Sequence, residues 1–114
     1  MPFLKIQTNI SVDENKQAEL LTRASALTAS ELGKPESYVM VSIEPERIMS
    51  FAGNSAPLAY LELKSIGLQE SQTADLSKAL CDLVASSLEI DQGRVYIEFA
   101  DAPRAMWGWN GATF

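Results

Sequence analysis

Leu58-Ala59-Tyr60-Leu61-Glu62-Leu63-Lys64-Ser65-Ile66-Gly67 restarts, near the middle of the chain, a pattern that residues 3–8 have already run once. Ala59, Leu61 and Leu63 fall on one side of an extended strand and Tyr60, Glu62 and Lys64 on the other, and Gly67 ends it. At the start of the chain, Leu4, Ile6 and Thr8 alternate in the same way with Phe3, Lys5 and Gln7. Downstream of each strand comes a helical period. Ser11-Val12-Asp13-Glu14 has capping-box spacing, Leu21, Ala24, Leu27 and Leu32 keep a rough helical repeat, and Gly33 is placed to end the helix before Pro35. In the second half, Ser71 or Thr73 caps a helix whose apolar positions Leu76, Ala79, Leu80, Leu83, Val84 and Leu88 recur at three- and four-residue steps.

A second strand closes each half. Tyr38 to Glu44 sends Val39, Val41 and Ile43 one way and Tyr38, Met40 and Ser42 the other, and Pro45 stops it. Asp91-Gln92-Gly93 turns into Arg94 to Ala100, where Val95, Ile97 and Phe99 alternate with Tyr96 and Glu98. Residues 46–57, with Gly53, Asn54, Ser55 and Pro57, read as a loop or short helical turn rather than a regular element. The fold class is therefore α/β: two βαβ units form one mixed four-stranded sheet with both helices on one face. The opposite face carries Phe3, Tyr38, Met40, Tyr60 and Tyr96 among polar residues, the mark of an assembly surface. The tail from Pro103 to Phe114, with Trp107, Trp109 and Phe114, is too aromatic for a free end and is expected to dock on a neighbouring subunit or a pocket rim.

Length and composition narrow the function. A chain of 114 residues reads as one domain, 1–114, able to bury roughly two-thirds of the surface its unfolded form exposes. Fifteen acidic against nine basic residues give a net charge of −6 with no basic cluster, which removes the electrostatic footing for nucleic acid. No apolar run is long enough for a membrane span, and no basic-then-apolar leader opens the sequence, so the expected location is the cytosol. Cys81 is the single cysteine and there is no histidine, which excludes an internal disulfide, a Cys/His nucleophile pair and a zinc site. No metal or cofactor is expected. The commonest general base is also missing, leaving carboxylates, Lys, Tyr and the terminus.

The terminus is unusual. Removal of Met1 makes Pro2 the first residue, and its nitrogen becomes a secondary amine; α-amines titrate at about 7.7–8.0 when unperturbed and lower when buried. Pro2 also reads simply as the opening residue of a strand, where proline costs no ladder hydrogen bond. Lys34 reads equally as a cation near a helix C-terminus.

Pro2-Phe3-Leu4 with Thr8-Asn9, Gly33-Lys34-Pro35, Ser65-Ile66-Gly67, Arg94-Val95-Tyr96-Ile97 and Gly108-Trp109-Asn110 occur in this order on these elements. Together they resemble the macrophage migration inhibitory factor family of the tautomerase superfamily, over the whole span from Pro2 to Phe114. The resemblance implies a homotrimer whose sheets surround a central channel, with a pocket around the N-terminal proline at each subunit interface. It implies keto–enol tautomerisation of arylpyruvates such as phenylpyruvate, with Pro2 moving the proton and Lys34 favouring the carboxylate or developing enolate. By the same resemblance Ile66 offers its backbone N–H with Ser65 beside it, and Tyr96 enters from the adjacent subunit. Met40, Trp107, Trp109 and Phe114 line the place of the aryl ring, although ordinary packing accounts for any one of these four as well. The alternative role is a cytokine-like trimer whose task is contact with another protein, with receptor binding among its implied partners.

The chain departs from the family at three places. Glu98 stands where catalytically studied members carry an asparagine that bonds the far end of a hydroxyaryl substrate; a carboxylate accepts from a phenol and repels a second anion. Leu58-Ala59-Tyr60-Leu61 stands where some members have a Cys-x-x-Cys pair, so thiol–disulfide chemistry of that type is not expected. The loop Asn9-Ile10-Ser11-Val12-Asp13-Glu14 lacks the basic residue that cytokine members present to a receptor, and dopachrome-type substrates are expected to fit poorly beside Glu98.

Overall fold

The computed structural model describes residues 1–114 in full. Its elements are β1 (Phe3–Thr8), α1 (Glu14–Leu32), β2 (Met40–Glu44), β3 (Ala59–Ile66), α2 (Thr73–Leu88), β4 (Val95–Ala102) and a small tail hairpin of β5 (Gly108–Trp109) and β6 (Ala112–Thr113). The main sheet runs β2-β1-β3-β4. Within it β1 lies parallel to β2 and antiparallel to β3, and β3 lies parallel to β4. This is the mixed four-stranded sheet expected from the two βαβ halves.

Burial on one face follows directly from the alternation. Leu4, Ile6 and Thr8 of β1 and Ala59, Leu61 and Leu63 of β3 are buried beneath Leu20 and Ala24 of α1 and Leu76, Leu80, Leu83 and Val84 of α2. Both helices thus lie on that face. Completely burying one such Leu is worth about 1.5–3 kcal/mol. On α1 the core position is Leu20, whereas Leu21, the expected one, is exposed; residues 20, 24 and 28 form the inward stripe.

Several boundaries differ from expectation, each for a local reason. The α1 N-cap is Asp13, not Ser11: its carboxylate accepts the Lys16 N–H at 2.8 Å, where a negative charge also complements the helix N-terminus. Neither Ser71 nor Thr73 caps α2. A tight turn over Glu70–Gln72 precedes that helix, with Gln69 and Gln72 capping one another, and the Thr73 hydroxyl donates to the Glu70 carbonyl at 2.8 Å. Strand β2 starts two residues late because Glu36–Tyr38 winds into a tight turn in which the Tyr38 N–H bonds the Pro35 carbonyl at 3.1 Å. Tyr38 therefore leaves the strand face. Arg94 belongs to a turn set by Asp91, whose side chain accepts the Gly93 N–H at 3.1 Å, and β4 runs on to Ala102.

The open face of the sheet is ordered by register. Ser42, Lys5, Glu62 and Glu98 form a row across all four strands, flanked by Met40, Phe3, Lys64 and Ala100 on one side and by Glu44, Gln7, Tyr60 and Tyr96 on the other. Its centre is an ionic network rather than an aromatic patch. Lys5 Nζ sits 3.2 Å from Glu62 Oε2, and the Tyr60 hydroxyl lies 3.1 Å from Glu62 and 3.0 Å from Glu98. Apolar side chains occupy the two ends only. No helix is long and apolar enough to cross a membrane.

Candidate active site

A cavity of about 230 Å³ opens at the start of β1. Met1, Pro2 and Phe3 form one wall, residues 37–40 a second, and Trp107, Gly108, Trp109 and Phe114 of the tail a third. The sequence builds each wall locally. Pro2 has no N–H to satisfy, and its carbonyl accepts the Met40 N–H at 2.9 Å, which anchors the buried ring at the β1–β2 junction. The tail hairpin stacks Trp109 on Phe114 with ring centroids 5.3 Å apart. Tyr38 meets both rings edge-on, at 5.8 and 6.0 Å. The aromatic tail thus docks on its own chain at the pocket rim, and the turn that removes Tyr38 from β2 supplies its receiving surface.

Lys34 reaches the same end of the molecule by another route. Gly33 ends α1 in the left-handed conformation (φ 62°), and the Lys34 N–H closes the helix on the Ala29 carbonyl at 3.0 Å. The Lys34 side chain then crosses to β3, where Nζ donates to the Ile66 carbonyl at 2.9 Å. Its charge is felt at the terminus: the Met1 amine is held below its ordinary 8.0, first by burial and then by the Lys34 ammonium. With Met1 in place the Pro2 nitrogen is an amide and has no basic lone pair to offer; the only amine at the cavity is that of Met1.

The residues singled out in the sequence separate into two groups. Pro2, Met40, Trp107, Trp109 and Phe114 are brought together around the cavity; Lys34 is not among its lining residues and acts on the Met1 amine through its charge. Four others do not line the cavity. Tyr96 is 66% exposed on β4 and packs edge-on against Phe51 at 4.8 Å. Glu98, on the same strand, faces Tyr60. The Ser65 side chain is fully buried on the helix side, its hydroxyl without a partner. Ile66 presents its carbonyl to Lys34.

Two further residues organise the surroundings without having been marked for a role. Asp101 Oδ1 accepts the N–H groups of Gly67 and Leu68 at 2.8 and 3.1 Å, fixing the turn after β3. Arg94 Nε donates to the Pro57 carbonyl at 3.0 Å and its Nη2 to that of Ala56 at 3.1 Å, while its guanidinium covers the Phe51 ring at 5.3 Å. Arg94 therefore clamps the loop that supports Tyr96. The wall residues Ser37, Tyr38 and Val39 had no separate signal, because a proline-started turn looks like a strand opening in sequence.

Comparison with known proteins identifies the family. A family profile described as "Macrophage migration inhibitory factor (MIF)" matches residues 1–114. The macrophage migration inhibitory factor of Rattus norvegicus is 39% identical, over 100% of this chain and 99% of the rat protein. Among solved structures, the macrophage migration inhibitory factor homologue from Prochlorococcus marinus superposes with a TM-score of 0.93 at 41% identity, covering 98% of each chain. That from Trichinella spiralis gives 0.90 at 35%, covering 98% of this chain and 99% of its own. Profile, sequence and superposed fold all extend over essentially the whole chain, and the chain accordingly belongs to the macrophage migration inhibitory factor family of the tautomerase superfamily.

Proposed function

We propose that the protein is a keto–enol tautomerase acting on phenylpyruvate-like arylpyruvates, with Pro2 as the acid/base once Met1 has been removed. The observation that carries this reading is the seat of Pro2: a buried ring at an aromatic-walled cavity, next to the Met1 amine, which burial and then Lys34 hold below the ordinary range. An amine uncharged near neutrality can take a proton from the carbon next to a ketone, and the resulting ammonium can return one to the enol oxygen. Carbon loses a proton, oxygen gains one, and the amine is regenerated. Lys34 Nζ keeps two N–H bonds beyond the one given to Ile66, and these can meet the substrate carboxylate or the growing enolate charge. Met40, Trp107, Trp109 and Phe114 receive the aryl ring.

Residues 1–114 act in this reading as one domain within a homotrimer. Tyr96 and Glu98 stand on β4, at the sheet edge opposite β2 and its pocket residue Met40. They reach a pocket only when it belongs to another copy of the chain. Glu98 there accepts from a hydroxyaryl substrate and disfavours one with a distal anion.

The test is the loss of phenylpyruvate enol absorbance with protein shown by intact mass to lack Met1. Pro2→Gly is expected to lower kcat/KM by roughly 10²–10⁴-fold, the usual range for a positioned acid/base, and Lys34→Ala to lower it as well. Undiminished turnover in both variants contradicts the reading. A second reading, a trimer that works by touching another protein, is favoured by the names its relatives carry. A partner interaction that survives Pro2→Gly in a protein without turnover would support it.

A further inference from the structure

The end of β3 is held from two sides. Lys34 Nζ donates to the Ile66 carbonyl, and the next two backbone N–H groups, those of Gly67 and Leu68, converge on Asp101 Oδ1. Asp101 stands opposite Ser65 in the β3–β4 ladder, so its carboxylate reaches the turn from the neighbouring strand. Gly67 is left-handed (φ 78°), and the space where a Cβ would stand is empty. Steric crowding therefore does not fix this turn, and glycine leaves the backbone free to rotate. Ile66 is the last residue paired to β4, opposite Ala102; beyond it, what fixes the turn is the pair of charge-assisted hydrogen bonds to one carboxylate oxygen, each roughly twice as strong as a neutral one. The Lys34 ammonium sits on a flexible stem with a single protein acceptor, and that acceptor belongs to the residue just before the turn.

We propose, on the reading above in which Lys34 acts on the terminal amine, that Asp101 is a positioning residue: by fixing the turn that begins at Gly67 it steadies the preceding Ile66 carbonyl, on which Lys34 Nζ is anchored. The alternative, that Asp101 acts on the amine through its own charge, predicts the opposite sign. A carboxylate stabilises a nearby ammonium, so its simple removal lowers the amine's titration midpoint. Loss of Lys34 from its place raises that midpoint.

The deciding experiment follows N-terminal carbamoylation by cyanate against pH, read from the mass of the N-terminal peptide, in protein lacking Met1. Asp101→Ala and Lys34→Ala are both expected to move the midpoint to higher pH, and the double variant no further than Lys34→Ala alone. Asp101→Asn keeps an acceptor oxygen but loses the charge assistance, and is expected to move upward less far than Asp101→Ala. Asp101→Glu keeps the charge but displaces the acceptor, so it should move upward with the alanine variant and decides the matter if that variant does not fold. A midpoint at or below wild type in both Asp101→Ala and Asp101→Glu, or fully additive shifts with Lys34→Ala, overturns the proposal. Because this readout needs no turnover, an inactive wild-type protein would count against the tautomerase reading and leave the Asp101 result standing on its own. Where turnover is present, Asp101→Ala should lower kcat/KM by about 10–100-fold, as expected for a displaced catalytic group.

Discussion

The two βαβ halves share one topology and divide the labour differently. In the second half, α2 buries Leu76, Leu80, Leu83, Val84, Ser87 and Leu88, whereas α1 in the first half buries Leu20, Ala24 and Thr28 only. The first half instead carries the two residues of the proposed chemistry at its ends, with Pro2 just before β1 and Lys34 just after α1. Both helices stop in the left-handed region, yet one uses Gly33 (φ 62°) and the other Glu89 (φ 56°). The lesson is that an α/β repeat can bury more of one helix than of the other in a shared core and leave the ends of the less buried half free for a site. Substitutions should then separate stability from activity along the same line.

The largest expected difference lies in the core. Leu80→Ala should destabilise the protein by about 2–5 kcal/mol in urea unfolding, the usual range for truncating a buried Leu, while Leu21→Ala on the exposed side of α1 should stay within about 0.5 kcal/mol. Similar losses at the two positions would break the comparison. Next come the helix ends. Gly33→Ala should cost about 1–2 kcal/mol because a side chain resists the left-handed conformation, and Glu89→Gly should stabilise by relieving the same strain, up to a similar amount. Thermal unfolding of the two variants checks the opposite signs.

The smallest effect sharpens the comparison where the halves meet, since Lys5 of the first half neutralises Glu62 of the second. Tyr60 is pushed up to about 12 by desolvation and by its hydrogen bonds to Glu98 and Glu62, where a phenolate would face two carboxylates. Glu62 itself is held below the ordinary carboxylate range, chiefly by Lys5. For Tyr60 the folded state keeps its proton longer than the unfolded chain. The resulting stabilisation is whole below about pH 10 and is lost as pH rises through about 12. Ultraviolet titration of the folded protein should show one phenolate forming near pH 12 that Tyr60→Phe removes; titration of that phenol near pH 10 would mean the network is not formed.

Much of this architecture was legible because the strands are half-buried. Alternation in β1 and β3 places Leu4, Ile6, Leu61 and Leu63 beneath the helices with no ambiguity of face. The start of β2 was not, since Tyr38 is β-compatible and only the hydrogen bond to Pro35 and the arrival of Trp109 and Phe114 reveal a turn. Helix phase was read one residue off at Leu21, where two adjacent leucines compete for one inward position. In the site, the clustering of Pro2, Met40 and the tail aromatics follows the motifs, and the separation of Tyr96 and Glu98 from them is set by strand order. Asp101 was silent because an acidic residue on an outer strand reads as solvated; its role exists only once the turn at Gly67, more than thirty residues earlier, lies beside it.

The central claim is an uncharged amine at the pocket in the processed chain. A ¹⁵N NMR titration of Pro2 in protein lacking Met1 tests it most directly. The account predicts a midpoint below that of an ordinary α-amine, moving upward in Lys34→Ala. A midpoint at or above the ordinary value, unmoved by that substitution, would contradict it.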